Sequence, residues 1–188
     1  MSSHTRVLSY HFMLAVGENG EFGYMDGLPW PRIRTDMKHF ADVTGTTVDW
    51  QKRNAVVMGR KTWDSINRRS LAGRAMIVLT GDRTIESNAD VTVVHSIDEC
   101  YAWCDSQADK IESVFIVGGK EIFDAFIADD QQRHRLSCLY ITYIKGQFPK
   151  ADTLLDIQKF ERIFPSVIYR MAHVDDATGI HLHFVLRR

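Results

Sequence analysis

Asp36 is the residue whose type and setting most need a chemical explanation. It lies in the stretch Gly23 to Thr44, GYMDGLPWPRIRTDMKHFADVT, where a glycine loop and a Leu-Pro-Trp-Pro turn run into a helical pattern. Ile33, Met37, Phe40 and Val43 recur at helical spacing with Thr35 as the expected N-cap, and Asp36 stands beside that apolar stripe. A carboxylate there is costly unless a cation or a hydrogen-bond donor meets it. The alternative is an exposed first-turn acid favoured by the helix dipole. Trp30 and Phe40 either offer flat surface to a heterocycle or serve as plain core.

Two other places could hold anions. Gly118 and Gly119 lie between the apolar run SVFIV and the helical pattern KEIFDAFIAD, so backbone N–H groups at a helix start could hold a diphosphate. The pair is not a GxGxxG fingerprint, and a tight turn explains it equally simply. Gly59, Arg60, Lys61 and Thr62 place two cations and a hydroxyl at a second strand-to-helix junction. That set suits a phosphate monoester such as the 2'-phosphate of NADPH, or is a solvated basic helix start. Mainly parallel sheets bind ligands at the carboxyl ends of their strands, so two such junctions together fit a dinucleotide.

The elements that position these residues alternate. Val7 to Val16, NAVVMG, GRAMIVLT, Val91 to His95 and SVFIVGG read as strands, and helices open at Thr35, Arg60, Ile97 and Lys120. LSCLYITYI, SVIYRMAHV and HLHFVLRR then follow without long helices between them, as an antiparallel edge would. The expected architecture is α/β, a single domain over residues 1–188 with a mixed, mainly parallel sheet, an antiparallel C-terminal edge and helices on both faces.

Composition narrows the function. The formal charge of -1, from 23 basic and 24 acidic side chains, gives no global field for nucleic acid or an anionic membrane. His4, Arg6 and His11 interrupt any signal-peptide core, and no membrane-length apolar span follows, so a soluble, cytoplasmic protein is expected. Cys100, Cys104 and Cys138 have no metal-ligand spacing and read as reduced thiols, the first two on one helix. His181 and His183 share a strand face without further ligands, and no metal is expected.

Taken together, LAVGENGEFGYMDGLPW, AVVMGRKTWDSI and FIVGGKEIF resemble, in order and spacing, three signatures of dihydrofolate reductase of the bacterial or bacteriophage type. The resemblance runs from Met13 to the C-terminal arginines. It implies a three-layer dihydrofolate-reductase-like fold and an NADPH-dependent oxidoreductase that reduces 7,8-dihydrofolate to tetrahydrofolate, with hydride transfer to C6 and protonation at N5. That activity serves one-carbon transfer and thymidylate synthesis. In the family pattern Asp36 is the single active-site acid, supported by Thr142. Ala15, Leu28, Trp30, Met37, Phe40, Ser65, Ile66, Leu71, Val117 and Phe123 match the substrate pocket, and Arg74 matches the arginine that grips the glutamate tail.

For NADPH the resemblance implies a cis peptide between Gly118 and Gly119, with Lys120, Glu121 and Ile122 supplying amides to the diphosphate. Gly59, Arg60, Lys61 and Thr62 match the adenosine-phosphate side, and Leu79 and Thr80 the adenine edge. Ala15, Phe22, Gly23, Gly27, Val117 and Phe123 match the nicotinamide side, under a lid from Glu18 to Leu28 whose glycines permit motion. Gly81 departs from the pattern, since many members carry a basic or hydroxyl residue there. Phe123 stands in place of a common tyrosine. A monomer is expected. A pteridine- or flavin-precursor reductase and a folate-binding structural protein remain as alternatives, and Asp36 with Arg74 weighs against the first.

Overall fold

The structure is a computed structural model that describes residues 7–188, so His4 and Arg6 lie outside the described residues. The strands are β1 (Ser9–Gly17), β2 (Glu21–Gly23), β3 (Arg53–Gly59), β4 (Ala75–Leu79), β5 (Val91–Val94), β6 (Ile111–Ile116), β7 (Leu136–Ile144), β8 (Thr153–Leu154), β9 (Val167–Val174) and β10 (His181–Arg187). The helices are α1 (Arg34–Gly45), α2 (Arg60–Ser65), α3 (Ile97–Ser106), α4 (Lys120–Ala128) and α5 (Ile157–Ile163). Eight strands form one sheet in the order β5-β4-β3-β6-β1-β7-β10-β9, and β2 pairs with β8 separately. The expected mixed sheet is present: β3 runs parallel to β4 and β6, and β10 antiparallel to β7 and β9. None of the described helices is long and apolar enough to cross a membrane.

The described residues group into two compact units. In the first, residues 7–11 and 44–137, every residue of β4 is buried, which explains its unbroken apolar run. Tyr10, Tyr101 and Phe126 pack edge to face, and the Arg135 guanidinium lies 5.1 Å from the Tyr101 ring while pairing both oxygens of Asp105. Cys100 and Cys104 are buried on α3 as free thiols.

In the second unit, residues 12–43 and 138–188, Trp30, Ile33, Ile144, Leu182 and Phe184 form one cluster. Phe12 packs edge-on against Phe160 and Phe164. Here the structure adds elements that the pattern did not suggest. The helix α5 follows Asp156, whose side chain accepts from the Gln158 amide, and β2 and β8 are too short to show a period.

Thr35 does not act as the N-cap of α1. It lies within the helix, and the carboxylate of Asp175 accepts its amide and hydroxyl instead. The apolar stripe of α1 is also only partly buried, because Ile33 is in the core whereas Met37 is exposed. Strand β9 ends the sheet with all eight residues exposed.

Candidate active site

Within the second unit, Asp36 sits in the first turn of α1, half-buried, and interacts with Thr142 of β7. Burial raises its pKa above the usual carboxylate value, and the hydrogen bond with the Thr142 side chain opposes that rise. No cation pairs with it among the described residues. Thr142 is buried and stands opposite Phe184 in the β7/β10 register, and Phe184 belongs to the Trp30 cluster against which Ala15 packs. Ala15 and Trp30 thus meet in one cluster, and Asp36 is joined to Thr142, the register partner of a member of that cluster.

Apolar surface is left uncovered on α1 and on the turn before it. Leu28 is 54% and Met37 45% exposed, and Phe40 is half-buried one turn beyond Asp36. Exposed apolar side chains beside a half-buried acid are what a flat, partly polar ligand would cover.

The Glu18–Leu28 loop is in part a built structure. Leu155 donates its amide to the Gly20 carbonyl at 2.8 Å, Asp152 donates its amide to Gly23, and the Met25 amide donates to the Asp152 side chain. Gly20 takes φ +87°, and a Cβ at Gly23 would come 3.1 Å from that of Thr153. These two glycines therefore serve a turn and a close approach, where the sequence suggested only freedom of motion. Phe22 is half-buried, and Gly27 is bridged to Tyr24.

In the first unit, β3 and β6 end side by side. Val117 donates to Val57 and Gly59 to Gly118, and the Gly118–Gly119 peptide is cis. A Cβ on Gly59 would lie 3.0 Å from Ile122, and α4 starts at Gly119 with no side chain capping it. Helix geometry leaves the amides of Lys120 and Glu121 without acceptors inside the helix, whereas the Ile122 amide, expected to join them, donates to the Gly119 carbonyl at 3.0 Å, and the Lys120 ammonium is engaged by Asp124. Donors of this kind, in a cradle too close for side chains, fit a dinucleotide diphosphate.

Arg60 pairs with Asp64 at 2.8 Å, Lys61 is exposed and Thr62 half-buried, with Leu79 buried and Thr80 half-buried at the end of β4. Ser65 is exposed and donates its hydroxyl to the Thr62 carbonyl; Ile66 and Leu71 are half-buried. Arg74 is partly buried with its pKa lowered by burial, and a Cβ on Gly45, the last residue of α1, would lie 2.9 Å from its Nη1. Phe123 is fully buried, so its ring is core in this structure. His181 is exposed and His183 half-buried.

The sequence profile of the dihydrofolate reductase family matches residues 9–187. The chain belongs to the dihydrofolate reductase family. A dihydrofolate reductase of Gallus gallus is 32% identical to it over 187 residues, covering 95% of each chain. One from Aedes albopictus is 35% identical over 144 residues, covering 74% of this chain and 75% of its own. The solved dihydrofolate reductase from Enterococcus faecalis, complexed with NADP(H) and RAB-propyl, superposes with a TM-score of 0.72 at 25% identity, covering 96% of this chain and 95% of that one. These matches span animals and bacteria, so they establish the family and leave its bacterial or bacteriophage branch unassigned. Membership in the dihydrofolate reductases makes the chemistry NADPH-dependent reduction of dihydrofolate.

Asp175, whose carboxylate holds Thr35 at the start of α1, is the residue that sequence reasoning missed. The Asp-x-x-Thr pattern of Asp175 and Thr178 was readable as a turn, but nothing local tied it to Thr35.

Proposed function

We propose that Asp36 is the group through which this reductase binds and activates the pterin of dihydrofolate. The observation carrying the proposal is a half-buried carboxylate, held above its usual pKa by burial, whose neighbour is a neutral threonine hydroxyl rather than a cation. Its two oxygens can accept the paired N–H groups of the pterin N3 and 2-amino edge, which orients the ring and raises the basicity of N5. Water delivers the proton there. Thr142 fixes the carboxylate, and Trp30, Met37 and Phe40 supply apolar surface.

Bound NADPH supplies the hydride. The first-turn amides of α4 hold its diphosphate behind Gly118 and Gly119, with Arg60, Lys61 and Thr62 at the adenosine phosphate and Leu79 and Thr80 at the adenine. Arg74 receives the α-carboxylate of the glutamate tail, for which a planar guanidinium is suited. The segment Glu18–Leu28 covers the nicotinamide side and keeps water out. The chain acts as one catalytic domain and as a cytoplasmic monomer.

The test is NADPH oxidation by the purified chain on addition of dihydrofolate, with and without Asp36→Asn. Turnover that survives the substitution unchanged refutes the role of Asp36. Binding of dihydrofolate without any turnover would favour a folate-binding structural role instead.

A further inference from the structure

A cavity of about 550 Å³ lies within the first unit, and Arg60, Trp63 and Arg68 share its lining with Asp82 and Glu86. The role of this cavity rests on the proposed cofactor site, in which Arg60 meets the 2'-phosphate. Arg60 is not a free cation: its Nη1 lies 2.8 Å from Asp64 Oδ2, and Arg68 Nε lies 2.7 Å from Asp64 Oδ1. One carboxylate thus sits between both guanidiniums, and that of Arg68 lies 5.1 Å from the Trp63 ring centroid.

Asp82 is held equally firmly. Its Oδ1 accepts the amide of Thr84 at 2.9 Å and the Thr84 hydroxyl at 2.7 Å, while its own amide donates to the Thr80 hydroxyl at 3.1 Å. Those Thr84 hydrogen bonds, with the positive charge of Arg60 adding to them, keep the Asp82 carboxyl below its usual range, so it is ionised at neutral pH. A Cβ on the preceding Gly81 would meet nothing within 4 Å. Position 81 is therefore open space beside a fixed carboxylate.

The lining itself is balanced, the guanidiniums of Arg60 and Arg68 standing against the carboxylates of Asp82 and Glu86, while Asp64 engages both guanidiniums from outside the lining. A phosphate monoester adds a charge of roughly -1.5 to -2 to that balance. A plain ribose diol adds none, and it can donate its hydroxyls to a carboxylate, as in dinucleotide folds that bind NAD through an acid at the end of a strand.

We propose that Asp82 sets the cofactor preference of this enzyme by opposing the 2'-phosphate, so that NADH is accepted as a hydride donor beside NADPH.

Equilibrium binding tests this without turnover, using 2',5'-ADP and 5'-AMP as probes of the site with and without the phosphate. Asp82→Asn is expected to raise the preference for 2',5'-ADP over 5'-AMP by about fivefold at low salt, an effect that shrinks as salt screens the charge. Asp82→Ser, which keeps a hydroxyl near Thr84, guards against a loop disturbance and should act in the same direction. A preference that stays the same or falls in both variants overturns the proposal. In turnover, the wild-type ratio of kcat/KM for NADPH to that for NADH should lie below about a hundredfold, and a larger ratio overturns it too. If neither nucleotide is oxidised with dihydrofolate, the reductase reading has failed; oxidation with an unmoved binding preference removes only the role of Asp82.

Discussion

Asp175 accepts both the amide of Thr35, at 3.2 Å, and its hydroxyl, at 2.8 Å, through a single carboxylate oxygen. The other oxygen accepts the amide and hydroxyl of Thr178, so the turn between β9 and β10 is fastened to the start of α1, one residue before Asp36. These hydrogen bonds, those from Thr35 foremost, depress the Asp175 pKa to about 2. A depressed acid contributes stability that is present above its unfolded pKa, near 4, and lost as pH falls toward the folded value. Asp175→Asn should therefore lower Tm at neutral pH, with the difference from wild type shrinking between about pH 4 and pH 2. It should also reduce kcat, because Asp36 is set by the same turn of helix. An unchanged Tm at pH 7 would show that the clasp contributes nothing.

Asp36 carries the opposite sign. Burial raises its pKa, so the folded state holds the proton more tightly than the unfolded chain, and stability falls as pH rises through the folded value. Asp36→Asn is expected to cost roughly 10²–10⁴ in turnover and yet to raise Tm at pH 7. The gain should fade as the pH is lowered through the raised folded pKa, where the wild-type acid takes up its proton. A variant that is both inactive and less stable at neutral pH would indicate that the charge is better paired than the structure shows.

Gly45 and Arg74 supply a test of the substrate tail. A methyl group on Gly45 would press on Arg74 Nη1 at 2.9 Å and displace the guanidinium. Gly45→Ala should raise KM for dihydrofolate several-fold and leave kcat close to wild type, the pattern of a lost binding contact. The same fold-change with a substrate lacking the glutamate would remove Arg74 from that role.

At Gly20 the backbone φ is +87°, and a Cβ would meet the Leu155 carbonyl oxygen at 2.5 Å. Gly20→Ala should destabilise by more than about 1 kcal/mol, because strain and a backbone clash act together. The loss should appear first as faster hydrogen exchange at the Asp152 and Leu155 amides, which donate to Gly23 and Gly20. Protection that is unaltered there would mean that β2 and β8 hold each other by side chains.

What the sequence disclosed followed the range of the interactions. The glycine pair at 118 and 119, the Gly59–Thr62 junction and the buried strands were legible because a few consecutive residues set them. Asp36 was legible as an oddity, and its threonine partner came only through family likeness. The Asp175 clasp spans 140 positions, and no local pattern signals a partner that far away. Strands of three and two residues carry no period, which hid β2 and β8. Met37 fitted the helical stripe yet is exposed, because the spacing of apolar residues does not tell an uncovered stripe position from one in the core.

Strand β9 has a consequence for handling the protein. Among the described residues it pairs only with β10, and its exposed residues include Val167, Ile168, Tyr169, Met171 and Val174. An apolar edge strand of this kind is a template for adding another chain, and within it only Arg170 and His173 bring side chains that can carry charge against stacking. Self-association through this edge is the expected limit on concentration, and Ile168→Lys, which puts a charge in the middle of the strand, should raise the concentration at which the protein stays in solution.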